Sequence, residues 1–523
     1  MNKQTLEKIF GDTQRLHITE KVNQVEYLID GKILLWDGPK ETVYSPCMGV
    51  ELGTYPMLSE KESMLALNAA ERAYKVWSLY SLEQRTNCVG NFVVEMRKQR
   101  ERVVNLIMWE IAKTRKDAEK EFDRTVEDIL AKIEEAKNLD RESSIPKNKD
   151  GIFAQIRRSP LGVSLLLSAF NYPINETYTL LFPSLLMGNT VIFKTPKMGI
   201  LLHRPMLEAF RDCFPEGVVN TLYGDGPTVI GPLMASGRID SLGFIGTSKV
   251  ADILVKQHPK PHRLRRIIGA EAKNPGIILE DADIDNTVKE CVTGTLSFNG
   301  QRCTALKILF VEQRIAVEFM TRFCKAIDNL KPGYPWTEGV DLTPLPEPGK
   351  IEYLQGLVKD AQDLGAGKVN YADGGGIVHG KYFHPAVLFP VNSHMRVYHE
   401  EQFGPVIPIV PFEEIGTVLD YVKTSNYGQQ ASIFSQDPKR ISELVDYLST
   451  QVCRININTQ CQRGPDSFPF TGRKDSAEGT VSNTDTFKAF SIRTMVAAKN
   501  DEKVLRAIYE NNFSQFMNTD YIF

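Results

Sequence analysis

No run of this chain is long and apolar enough to cross a bilayer. LGVSLLL at 161–167 is among its longest apolar stretches, far short of the roughly 20 residues a spanning helix needs. An excess of one charge is also missing. Lys and Arg number 62 against 65 Asp and Glu, a net charge of −3, which gives no electrostatic ground for binding nucleic acid or an anionic membrane. The eight cysteines, at 47, 88, 213, 291, 303, 324, 453 and 461, include no CxxC and no pairing pattern. Neither a disulfide framework nor a zinc site is therefore expected, and no metal is assigned. The opening MNKQTLEKIFGDTQ lacks the apolar core of a signal peptide. A soluble protein of the reducing cytoplasm is the expectation. Internal repeats and low-complexity blocks are absent as well.

What is present is an ordinary globular composition, 42% hydrophobic and 24% charged, over 523 residues, enough for two or three domains. Residues 24–50 read as short strands and turns, with Asp30-Gly31 as a hairpin signal. Residues 60–138 read as helical. Phe122, Val126, Ile129 and Ile133 form one apolar stripe there, with Arg124 off it. After Asp140 a polar, Pro- and Gly-containing stretch predicts a loop or extended arm. Apolar runs then alternate with helical segments: GVSLLLSAF, TVIFKTP, VVNTLYG and SLGFIGT. Near-continuous apolar strands alternating with helices predict a parallel sheet covered on both faces. Ligands of such sheets bind at the carboxyl ends of the strands. Those ends carry Asn171-Tyr172, the lysines of 194–197, Gly224-Asp225-Gly226 and Gly246-Thr247, which suits a phosphate-bearing cofactor. A second alternation, from about 276 to 470, contains ALKILFV, HPAVLF, VIPIVPF and CRININ and predicts a second α/β domain.

Cys303, in FNGQRCTALKILFV at 298–311, opens a strand of that second domain beside Arg302. A lone cysteine is most often a small buried hydrophobe. A cation beside it instead favours thiolate, the reactive form.

With these stretches aligned, the chain resembles the aldehyde dehydrogenase superfamily over about residues 25–495. FNYP (170–173), FIGTSKV (244–250), GQRCTA (300–305) and EEQFGPV (400–406) carry the resemblance, in order. Within it the chain is most similar to the non-phosphorylating, NADP-dependent glyceraldehyde-3-phosphate dehydrogenases, through Tyr172, Arg302, the Arg124-Thr125 pair and RGPDSFPF (463–470). The resemblance implies an α/β fold with a Rossmann-type cofactor domain (1–139 and 161–270), a catalytic domain (271–475), and a β oligomerisation arm with the tail (140–160 and 476–523). It implies oxidation of glyceraldehyde 3-phosphate to 3-phosphoglycerate through a thiohemiacetal and a thioester. Cys303 is then the nucleophile and the Asn171 amide the oxyanion donor. Arg124, Tyr172, Arg302 and Arg463 would hold the substrate phosphate, Arg302 also lending positive charge to the thiolate.

For the cofactor, the resemblance points to Lys194, Thr195, Lys197, Gly226, Gly246, Thr247, Val250, Glu401 and Phe403. The family's usual Lys-x-x-Glu is KTPK here, 194–197. A lysine attracts a 2′-phosphate that a glutamate would repel, so NADP is expected over NAD. A homodimer or homotetramer is implied, joined through the arm.

One motif departs. The family's catalytic base normally lies in Glu-Leu-Gly-Gly-Lys. Here the segment is GAEAKNP at 269–275, which places Gly269 at the usual Glu position and leaves Glu271 two residues on. In an extended segment these positions face the same side, about 7 Å apart, so Glu271 is the expected base. Three alternatives stay open. One is a semialdehyde dehydrogenase for another anionic aldehyde. A second is a coenzyme A-acylating enzyme, which lacks the base. The third is a non-enzymatic protein on this scaffold, which retention of Cys303 and Asn171 opposes.

Overall fold

The computed structural model describes residues 1–11, 21–499, 502–511 and 513–517. Its first large sheet runs in the order Val219–Leu222, Thr190–Lys194, Val163–Leu167, Ser241–Ile245, Arg265–Gly269, all parallel, with Ala477–Glu478 added antiparallel at one edge. The first four of these strands are almost wholly buried, which is why they read as unbroken apolar runs. The chain winds from Val163–Leu167 toward one edge, then returns to lay Ser241–Ile245 on its other side. The crevice outside this reversal is where an open α/β sheet receives its ligand. FNYP follows one of the two strands there and Gly246-Thr247 follows the other.

The second sheet orders Gly367–Lys368, Ala386–Phe389, Val406–Phe412, Leu306–Glu312, Asn274–Ile278, Gln430–Phe434, Arg454–Ile457. It is parallel except for the antiparallel Gly367–Lys368 edge. The chain passes from one sheet to the other between Gly269 and Asn274. The aberrant segment carrying Glu271 is therefore the crossing itself.

Asp30-Gly31 does turn a hairpin, with Glu26–Ile29 paired to Lys32–Leu35. Both turn residues have positive φ, +54° and +69°, as a tight two-residue turn requires. The helical region resolves into Glu60–Trp77, Leu82–Lys98, Arg100–Ile111 and Arg115–Ser143. The last helix runs past Asp140, where a loop was expected, and stops at the Ser144 cap. KAFSIRTMVAAK (488–499) reads from the sequence as one strand, but its first residues close the helix Asn483–Ala489 and the strand is only Ser491–Lys499. It pairs antiparallel with Ile152–Pro160, which also carries Lys147–Lys149. Ile152, Ile492 and Met495 stand exposed on this small sheet. From residue 500 the sequence reads as helical then irregular; the helix is Glu502–Glu510, and the rest falls partly outside the described residues.

One buried ion pair ties helix to site. Lys113 sits at the junction of Arg100–Ile111 and Arg115–Ser143, just after Ala112 in the left-handed conformation. It is fully buried, and its Nζ lies 2.6 Å from Glu121 Oε2, also buried. The same Nζ donates to the Asn171 carbonyl at 2.7 Å. Glu121 Oε1 accepts from the backbone N–H groups of Ile174 and Asn175 at 3.1 and 3.3 Å. It thereby satisfies donors at the start of the helix Asn175–Leu186, which has no cap of its own. Breaking such a pair by removing one partner leaves an uncompensated buried charge and costs about 3–5 kcal/mol. Lys113→Met is therefore expected to lower the midpoint of the first thermal unfolding transition by several degrees, read by calorimetry. An unchanged midpoint would mean that the pair does not hold this region.

Candidate active site

The segment before Cys303 is held in an unusual backbone path. Phe298, Asn299 and Gly300 all have positive φ, +50°, +55° and +74°, between the helix Ile284–Leu296 and the strand Leu306–Glu312. A side chain on Gly300 would press to 2.7 Å of the Thr295 carbonyl, so only glycine fits the left-handed turn there. Asn299 is pinned on both sides, donating to Thr343 Oγ1 at 3.0 Å and accepting from Thr343 N at 3.1 Å. Asn274 Nδ2 donates to the carbonyls of Cys303 and Ala305 at 2.8 and 3.0 Å. The thiol thus projects from a turn locked to the second sheet.

Asn171 reaches the same place from the first sheet. It is buried, and its Nδ2 donates to the Gln301 carbonyl at 3.0 Å. Lys113 stands behind it, its Nζ 3.6 Å from the Tyr172 ring centroid and 4.6 Å from that of Phe298. One buried cation therefore contacts both the asparagine loop and the cysteine loop.

Two cavities meet at Cys303. The smaller, about 350 Å³, is lined by Arg124, Tyr172, Arg302 and Arg463, so all four expected phosphate ligands come together beside the thiol. The larger, about 910 Å³, is lined by Lys197, Gly246, Thr247, Val250, Glu401, Phe403 and Glu271. Asn171 lines it as well. Lys194, Thr195 and Gly226 lie off that lining. The Lys194 ammonium donates to the Thr195 carbonyl at 3.0 Å, and burial draws its pKa down to about 8. Gly226 opens the helix Gly226–Ala235, with free space where a side chain would be.

Several of these residues are already engaged. Arg124 grips Asp466 with Nε and Nη2, at 3.0 and 2.5 Å, and Arg463 Nε approaches the same carboxylate at 3.4 Å. Arg302 donates to the Thr293 and Gly294 carbonyls and to Gln460, at 3.1–3.3 Å. Lys197 forms an exposed ion pair with Glu41 at 3.1 Å. Glu271 accepts from the Ser248 N–H at 2.8 Å, within the first turn of the helix Ser248–Gln257. Glu401 accepts from Ala272 N at 3.0 Å and pairs with Lys307 at 2.5 Å. Phe403, itself at positive φ, meets Phe170 edge-on at 5.9 Å.

The charge around the thiol is not the one expected. Burial is the main force, pushing the Cys303 thiol up to about 11. Glu176 adds to the rise, Lys307 opposes it, Glu401 adds and Arg463 opposes. The positive charge comes from Lys307 and Arg463, while the Arg302 guanidinium is committed to carbonyls at the end of the helix Ile284–Leu296. Four contributors escaped the sequence reading: Lys113, Glu176, Lys307 and Glu41. For Lys307 a signal existed, since it alone breaks the apolar run of its strand, and it is buried against Glu401. For Glu176 the signal is a carboxylate in a helix whose every residue, Asn175–Leu186, is buried. Lys113 and Glu41 gave none, because what they reach, the Asn171 loop and Lys197, is distant in sequence.

The family described as the aldehyde dehydrogenase family matches residues 36–496. An NADP-dependent glyceraldehyde-3-phosphate dehydrogenase of Streptococcus equinus is 32% identical over 453 residues, 85% of this chain and 93% of that one. The crystal structure of an NADP-dependent glyceraldehyde-3-phosphate dehydrogenase from Bacillus halodurans C-125, complexed with NADP, superposes with a TM-score of 0.85. It is 30% identical and covers 91% of this chain and 100% of its own. A malonate-semialdehyde dehydrogenase of Bacillus cytotoxicus is 27% identical over 471 residues, 89% of this chain and 95% of that one.

A thiol raised to about 11 is almost wholly protonated at neutral pH. Alkylation of Cys303 by iodoacetamide should therefore accelerate about tenfold per pH unit between pH 7 and 10, following the thiolate fraction. The measurement is mass spectrometry of the Cys303 peptide. A rate that levels off near pH 7 would show that the site holds a thiolate.

Proposed function

The chain belongs to the aldehyde dehydrogenase family, and on that premise we propose that it oxidises glyceraldehyde 3-phosphate to 3-phosphoglycerate with NADP. As a member of the family it is an oxidoreductase that takes an aldehyde and a nicotinamide cofactor. The observation that carries the substrate reading is the single cavity in which Arg124, Tyr172, Arg302 and Arg463 surround the approach to Cys303. Guanidinium forks match phosphoryl oxygens, and a dianion gains more from such a set than a neutral aldehyde does. Asp466 offsets part of that charge, and an incoming anion competes with it for Arg124 and Arg463.

In this reading Cys303 Sγ forms a bond to the carbonyl carbon, and the resulting oxyanion is held by the Asn171 amide. A nicotinamide held beside Glu401 and Phe403 in the larger cavity would supply the oxidising power that turns the adduct on Cys303 into a thioester, which water cleaves. Lys197, at the rim of the larger cavity, supports a cofactor 2′-phosphate. The exposed Ile152, Ile492 and Met495 support an oligomer joined through the arm.

A second reading, a semialdehyde carrying a carboxylate, is favoured by Asp466, because a monoanion needs fewer free cations. The test is a panel of glyceraldehyde 3-phosphate, unphosphorylated glyceraldehyde and malonate semialdehyde, each with NADP and with NAD, with and without coenzyme A. Arg463→Ala should lower kcat/KM for glyceraldehyde 3-phosphate by about 10- to 150-fold, the worth of one charged hydrogen bond, and hurt unphosphorylated glyceraldehyde far less. Equal losses on both would remove the phosphate reading. Turnover only with coenzyme A would assign an acylating enzyme.

The Glu41 carboxylate competes with a 2′-phosphate for Lys197. Glu41→Gln should raise the NADP over NAD preference by about two- to fivefold, the range of an exposed ion pair. An unchanged ratio of kcat/KM values would separate Lys197 from the cofactor phosphate.

A further inference from the structure

Glu176 and Cys303 are the two described residues common to both cavities. They stand where the substrate side meets the cofactor side, which is where an acyl group on the thiol would lie. Glu176 follows Asn171 by five residues, in the first turn of Asn175–Leu186. It is 5% exposed, and its Oε2 is buried without a hydrogen-bond partner. Buried carboxylates normally find partners, so an unpartnered oxygen on a residue that lines this junction calls for an explanation. Glu271, by contrast, spends a carboxylate oxygen on the Ser248 N–H.

Building on the proposed reaction, we infer that Glu176 is the catalytic base that activates the water cleaving the thioester on Cys303. Glu176 takes a proton from the water as the water oxygen bonds to the acyl carbon. The C–S bond breaks, and Glu176 returns the proton to the departing sulfur. Thioester and water thereby become carboxylic acid and thiol, with no change of oxidation state. The charged groups that face Glu176 are Arg463, Glu121, Lys113 and Arg124, with Cys303 across the junction. Burial pushes its carboxyl up to about 7, which suits a group that must both take and release a proton near neutrality. The base form exists above that value, so hydrolysis should fall as the pH drops through about 7.

The test is stopped-flow NADPH formation by the full-length enzyme, wild type and Glu176→Gln, with glyceraldehyde 3-phosphate and with propionaldehyde. Glu176→Gln should keep a rapid burst near one NADPH per subunit and then turn over about 100-fold or more slowly, the usual worth of a general base. Hydroxylamine, a nucleophile that needs no base, should restore turnover by releasing the acyl group as a hydroxamate. A variant damaged only in structure would gain nothing from it. Steady-state turnover of Glu176→Gln within twofold of wild type would overturn the assignment. So would a lost burst that hydroxylamine does not rescue. A wild-type burst with propionaldehyde alone would remove the phosphate reading while leaving the Glu176 comparison intact.

Discussion

The site depends on one buried charge, the ammonium of Lys113. It is paired with Glu121, donates to the Asn171 carbonyl, and lies over the rings of Tyr172 and Phe298. Glu121 in turn holds the first turn of the helix that carries Glu176. Asn171, Tyr172, the loop before Cys303 and the helix of Glu176 are thus positioned by one ion pair. A buried pair contributes little to net stability relative to apolar packing, but it is costly to break. Such an interaction enforces position more than it adds stability, which is what a site assembled from two sheets requires.

The electrostatics divide along the same line. In the smaller cavity the arginines are offset by Asp466 and by the lining carboxylates Asp117, Glu121 and Glu176, so the guanidinium charge is largely balanced. Beside the larger cavity Lys307 and Glu401 form a buried pair against Phe403. The thiol at the junction is kept protonated mainly by burial, with Glu176 and Glu401 opposing Lys307 and Arg463. A cysteine balanced in this way stays unreactive toward solvent chemistry until something at the junction removes its proton.

The crossing between the sheets shows what a substituted motif does. At 269–275 the chain leaves the strand Arg265–Gly269 and enters Asn274–Ile278. Gly269 ends one strand, Glu271 bonds the N–H of Ser248, and Lys273 anchors the Glu400 carbonyl and Gln402 at 2.7 and 2.6 Å. The segment keeps its joining function although its carboxylate has moved. Same-side spacing correctly placed Glu271 in the cleft. It could not reveal that the backbone N–H of Ser248, just past the neighbouring strand, would engage it.

By itself the sequence determined the α/β alternation, most of the longer strands of both sheets, and the family. Each of these rests on short-range patterning: apolar runs, turn residues, and motifs contiguous in the chain. It also named four residues that line the cavity beside Cys303, because each sits in a recognisable local context. Only the tertiary structure decided the partners. Asp466 on Arg124 lies 342 residues away, and Glu41 on Lys197 comes from a separate strand. Arg302 is turned onto carbonyls rather than toward the sulfur. The free oxygen of Glu176 at the meeting of two cavities is likewise a fact of packing. Periodicity and spacing fix which face a side chain points from. Burial and long-range contacts fix what it meets, and so which charge is spent and which remains for chemistry.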